Sequence, residues 1–121
     1  ALLDGLDDQK PLVPPPLLDL RQLVMDDPSF NWSVPVLARQ CGWSAGYLNR
    51  QCRKYFQISP MALVAGLRLD RAQQLMIGTD YTLEHIAELT GFVDAYHLSR
   101  RFKERHQQSP GRWRKKLFAM I

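Results

Sequence analysis

The sequence predicts an all-α chain built from two repeated helix-turn-helix units, and three observations carry that prediction. Apolar residues recur at helical spacing from Leu17 onward. No segment alternates apolar and polar residues as a half-buried strand does. Two stretches separated by 49 positions match in their turn glycines and core residues. With 121 residues, 45% of them apolar, the chain has room for one domain or two small ones sharing a core.

Residues 1–16 lack helical or strand periodicity and carry Pro11, Pro14, Pro15 and Pro16. Prolines favour an extended, semi-rigid linker, with a disordered terminal tail as the alternative, and the start at Ala1 rather than Met adds the expectation of a missing upstream domain. Residues 17–58 form the first unit. Leu17, Leu20, Leu23 and Val24 make a helical stripe that Asp27-Pro28 ends. Val34, Leu37, Ala38 and Cys41 repeat the pattern after Ser33, an N-cap residue, and Gly42 closes that helix. Ser44 caps a third helix with Leu48, Cys52, Tyr55 and Phe56 along one side. Ser59-Pro60 then opens a linker helix over residues 59–78, the Ser as cap and the Pro where no donor is needed, running to about Ile77 with Gly78 as its stop. Residues 79–121 form the second unit.

The repeat is specific because it extends over several kinds of position. Leu37-Ala-Arg-Gln-Cys-Gly-Trp43 matches Ile86-Ala-Glu-Leu-Thr-Gly-Phe92. After one extra residue Ser44 falls on Asp94, Leu48 on Leu98, Arg50 on Arg100, Cys52 on Phe102, and Ser59-Pro60 on Ser109-Pro110. Each unit thus reads as helix, glycine turn, helix, the anatomy in which a first helix braces a second that enters the DNA major groove. About 18 residues of linker helix span roughly 27 Å, close to the ~34 Å between successive major-groove faces.

Charge agrees with a polyanionic partner for the second part of the chain. The net charge is +4, yet residues 1–30 hold six Asp against Lys10 and Arg21, so the remainder carries +8. No apolar run reaches the ~18 residues of a membrane span. Cys41 and Cys52 with His85, His97 and His106 lack metal-ligand spacing, so no metal or other cofactor is expected. Both cysteines read as small buried hydrophobes of a reducing, cytoplasmic compartment, with a disulfide as the weaker alternative. Ser, His and Asp are scattered, and no nucleophile elbow, phosphate loop or metal-ligand cluster marks an enzyme.

On these residues the chain resembles the C-terminal DNA-binding domain of AraC/XylS-family bacterial transcription regulators. The resemblance rests on Ser59-Pro60, Arg68-Leu69, Ala72, Leu75-Met76, Ile86-Ala87, Gly91-Phe92, Asp94, Ser99-Arg100, Phe102-Lys103 and Ser109-Pro110, and covers roughly residues 18–117. It implies seven helices in two helix-turn-helix subdomains, an upstream sensing or dimerisation domain, and activation through contact with RNA polymerase. Gln57 and Gln107 stand where the family usually has Gly, Cys52 where it has Phe, and Ala62 where Tyr is common.

The expected ligand is a double-stranded DNA operator. With Leu48, Cys52 and Phe56 facing the core, the opposite stripe of that helix is Gly46, Asn49, Arg50 and Arg53. Asn pairs with adenine and Arg with guanine, and Asn49 and Arg50 also align with base-reading positions of the family. In the second unit the candidates for base reading are Tyr96, His97, Ser99 and Arg100. Ser44, Arg53, Lys103, Arg112 and Lys115 are the candidates for the phosphate backbone, which positions without specifying sequence. Trp43, Phe92 and Trp113 are assigned to packing, and Arg68, Asp70 and Arg71 to helix or subdomain contacts. The competing reading is a helical protein-interaction module with a basic face for an acidic partner.

Overall fold

The computed structural model describes residues 12–120. Every regular element among them is an α-helix: α1 (Pro15–Asp26), α2 (Val34–Cys41), α3 (Ala45–Phe56), α4 (Pro60–Gly78), α5 (Leu83–Thr90), α6 (Ala95–His106) and α7 (Pro110–Ala119). The rest of the expected proline-rich spacer, residues 1–11, lies outside the described residues, as does Ile121.

Side-chain caps start six of the seven helices. Ser33, Ser44, Ser59, Thr82, Asp94 and Ser109 each accept a hydrogen bond from the backbone N–H three residues on, which satisfies a donor that the first turn leaves open. The exception is α1. It begins at Pro15, two residues earlier than the sequence reading placed the first unit, because proline at the first helical position lacks the donor that would go unbonded there. The expected stop at Gly78 also moves. Gly78 is the last helical residue, and the chain leaves through extended Thr79, whose N–H and Oγ1 both bond the Leu75 carbonyl, at 3.0 and 2.6 Å.

The turns after α2 and α5 need left-handed backbone, and Gly42 (φ 71°) and Gly91 (φ 86°) supply it. After α3 and α6 the same conformation falls on Gln57 (φ 61°) and Gln107 (φ 58°). The departure from glycine at these two positions is therefore carried as backbone strain of about 1 kcal/mol each.

Two cores form, and α4 belongs to both. Leu17, Leu20 and Val24 of α1, Leu37 and Ala38 of α2, and Leu48 and Cys52 of α3 pack with Leu63, Val64 and Leu67 from the first half of α4. Leu69, Ala72 and Met76 from its second half pack with Ile86 and Ala87 of α5 and Leu98 and Phe102 of α6. The stripe Leu69, Ala72, Met76 repeats Leu17, Leu20, Val24 at an offset of 52. The second half of α4 is thus the counterpart of α1, and α7 the counterpart of the first half of α4. The linker is a structural member of each unit rather than a spacer between them.

A candidate nucleic-acid interface

With Leu48 and Cys52 fully buried, α3 has one inward face. The opposite stripe emerges: Asn49 is half-buried, and Arg50 and Arg53 are exposed. Arg50 lies back along the helix, its guanidinium 5.7 Å from the centre of the Tyr47 ring. A Cβ at Gly46 would lie in ordinary contact with Arg50 Nη1, at 3.4 Å. Ser44 is exposed, with Oγ accepting the Tyr47 N–H at 3.1 Å.

The second unit repeats this arrangement on α6. Leu98 and Phe102 are buried, Ser99 is half-buried, and Tyr96, His97, Arg100 and Lys103 are exposed. His97 is partly engaged, since its Nδ1 sits 2.8 Å from Asp94 Oδ1. Hydrogen bonds from the His97 backbone N–H and then from its ring hold the Asp94 carboxyl below the ordinary carboxylate value. Glu104 lies 3.8 Å from Arg100 and 3.3 Å from Arg101, both well solvated pairs that leave the guanidinium groups available. On α7, Arg112, Lys115 and Lys116 are exposed.

Three arginines do other work: Arg68 and Arg105 tie elements of the two units to one another through α4, and Arg114 braces the second unit. Arg68, in the middle of α4, donates to the carbonyls of Pro28 at 2.8 Å and Phe30 at 2.9 Å in the α1–α2 loop. Burial lowers its pKa from the usual arginine value. Gly91, in the turn of the second unit, is pressed against this contact: a Cβ there would lie 2.6 Å from Arg68 Nε and 2.7 Å from the Pro28 oxygen. Arg105 reaches from α6 to Asp70 at 2.6 Å, Gln73 at 2.7 Å and the Gly66 carbonyl at 3.2 Å. Gly66, a costly residue inside a helix, is where Arg105 crosses α4. Arg114 of α7 donates to the carbonyls of Met76 at 3.1 Å, Tyr81 at 2.6 Å and Thr79. Arg114 thereby leaves the basic end expected of α7, having been drawn to the Met76 carbonyl in the last turn of α4 and to the Thr79 and Tyr81 carbonyls of the loop that follows.

Arg68 and Asp70 make subdomain contacts as expected, and Arg71 bonds Gln74 on its own helix. Trp43 packs on the first core, and Phe92 and Trp113 on the second. Trp32, buried in the first core with its Nε1 donating to the Asp27 carbonyl at 2.9 Å, was missed. So were the roles of Arg105 and Arg114. Burial raises the pKa of both Cys41 and Cys52, and both are free thiols.

Fold and exposed helix faces together define a double helix-turn-helix module of the DNA-binding class. A family model described as a helix-turn-helix domain matches residues 37–116. The chain belongs to this AraC-type family of DNA-binding domains. Family and fold are those of DNA-binding regulators and not of enzymes. The transcriptional regulator MtrA of Neisseria gonorrhoeae is 29% identical over 95% of this chain and 36% of its own length. The transcriptional activator RhaS of Salmonella newport is 31% identical over 61% of this chain and 27% of its own. The chain therefore spans about a third or less of these relatives. A transcriptional regulator structure from Chromobacterium violaceum, described as of the AraC-type DNA-binding domain, superposes with a TM-score of 0.79 at 25% identity, covering 84% of this chain and 91% of that one. No helix among the described residues is long and apolar enough to cross a membrane.

Proposed function

We propose that this chain is the operator-reading part of a bacterial transcription activator, and that α3 and α6 enter successive major grooves of one duplex. The observation that carries the reading is the sharing of α4 between two cores. Its 19 residues span about 28 Å, each half packs against one recognition helix, and Arg68, Arg105 and Arg114 clamp the surroundings to it. Two helices fixed to one rigid element can enter successive grooves, ~34 Å apart along the duplex, with little freedom left to lose on binding. A single chain then reads a long asymmetric site.

Asn49, Arg50, Tyr96, His97, Ser99 and Arg100 are assigned to bases, and Ser44, Arg53, Lys103, Arg112 and Lys115 to phosphates. An upstream sensing or dimerisation domain is supported by the relatives' greater length, and activation, with RNA polymerase as partner, by the family resemblance and by the activator among the relatives. Family and fold do not favour the interaction-module alternative.

The test compares two variants on a panel of single-base operator changes. Arg50→Ala is expected to lose discrimination at one position, worth about 1–3 kcal/mol. Lys103→Ala is expected to weaken every sequence alike and to lower the salt slope by about one. If both variants weaken all sequences equally, Arg50 does not read a base.

A further inference from the structure

The two turns of the repeat differ in length by one residue, and that residue is Val93. Gly42-Trp43 leads directly to the cap Ser44, whereas Gly91-Phe92-Val93 leads to the cap Asp94. Phe92 takes the place of Trp43, each packed on its own core. The added Val93 packs on neither and is 84% exposed. An apolar residue just before a cap ordinarily covers the fourth residue of the helix. Here that residue, Leu98, is fully buried beneath other side chains, and Val93 stands clear of it. Two residues after the cap Tyr96 is also 68% exposed. Both apolar side chains thus flank the start of the helix that carries Ser99, Arg100 and Lys103.

In the major groove the one apolar group on a base edge is the thymine C5-methyl, and residues at the start of a recognition helix are those that reach base edges. We infer that Val93, flanked by Tyr96, contacts a thymine methyl in the groove entered by α6 and gives the second unit a preference for a T·A pair at that position. This rests on the proposed reading that α6 lies in a major groove. The driving force is burial of methyl surface on both partners, which sets the scale at about fourfold in affinity for one methyl group.

Replacing thymine by deoxyuridine removes the methyl and leaves base pairing and the O4 acceptor untouched. Operator duplexes recovered by selection are therefore to be prepared with single uridine replacements throughout, and titrated with the whole chain and with its Val93→Ser variant. Because Val93 is exposed, the variant is expected to melt as the parent chain does. The parent chain should lose about fourfold at one thymine in the block read by α6, Val93→Ser should bind thymine and uridine there alike, and replacements in the block read by α3 should affect both proteins equally. A parent chain indifferent to uridine throughout the α6 block overturns the inference, as does a Val93→Ser variant that keeps the same preference for thymine. Arg100→Ala and Lys103→Ala distinguish a deeper failure. If neither changes affinity, α6 is not in a groove, and the assignment of Val93 falls with that reading.

Discussion

Gly42 and Gly91 occupy equivalent turns, and alanine at each should have very different consequences. At Gly42, with φ 71° and no atom within 4 Å of a Cβ, the substitution meets only left-handed strain, about 1–2 kcal/mol. At Gly91 the strain is the same in kind, but the Cβ would lie 2.6 Å from Arg68 Nε, 2.7 Å from the Pro28 carbonyl oxygen and 3.1 Å from Arg68 Cζ. The carbonyl is backbone and cannot swing away, so overpacking adds about 1–3 kcal/mol. Displacing Arg68 also weakens its bonds to the Pro28 and Phe30 carbonyls, each contributing on the order of 1.5 kcal/mol or more. Gly91→Ala should therefore cost about 3–5 kcal/mol, a large part of a small domain's stability. Urea unfolding with unchanged slope measures both costs. In an Arg68→Ala background the cost of Gly91→Ala should shrink, because part of the clash is gone. Equal costs at the two glycines, or no coupling to Arg68, would refute the contact between the turn of one unit and the loop of the other.

Three further outcomes are expected. Gln57→Gly and Gln107→Gly each relieve a left-handed φ but lose an exposed side-chain bond to a helix-end carbonyl and add unfolded-state entropy, so the terms nearly cancel and each should shift stability by less than about 0.5 kcal/mol, visible as a nearly unchanged Tm. Arg114→Ala should destabilise the fold by about 2–4 kcal/mol, since it strands the carbonyls of Met76 in α4 and of Tyr81 in the loop after it, whereas Lys115→Ala should leave the melt unchanged and weaken DNA binding. Asp94 is held below its ordinary value of 3.8. Its charge therefore stabilises fully above that pH, and the contribution is lost as pH falls through the lower folded value. Asp94→Asn should melt below the parent chain at neutral pH, and the difference should close as acid is added below about pH 4.

Much of the fold was legible because its signals are local. Caps such as Ser33 and Ser44, the turn glycines and the buried stripes each declare themselves within a few residues, and the repeat confirms one copy by the other. The double role of α4 was not read from the sequence, although Leu69, Ala72 and Met76 repeat Leu17, Leu20 and Val24. It was hidden because the α1–α2 loop is three residues longer than the α4–α5 loop, which breaks the register. Arg105 and Arg114 were beyond local reading. An arginine on a helix looks the same in sequence whether it meets a phosphate, solvent or a carbonyl 35 residues away. Arg50 and Arg100 emerged on the outward faces because their core neighbours, Leu48 and Leu98, fixed which side faced in. Val93 was visible only as the one-residue interruption of the repeat.

The most direct measurement is selection from a random-sequence duplex library at near-physiological salt, with sequencing of the bound pool. If both recognition helices read bases from a shared rigid helix, the pool will contain two unlike sequence blocks about one helical turn apart, at one fixed spacing. A single block would leave the second unit as a phosphate clamp, and blocks at variable spacing would contradict the rigid sharing of α4. Absence of any enrichment by the folded chain would contradict sequence reading by this domain altogether.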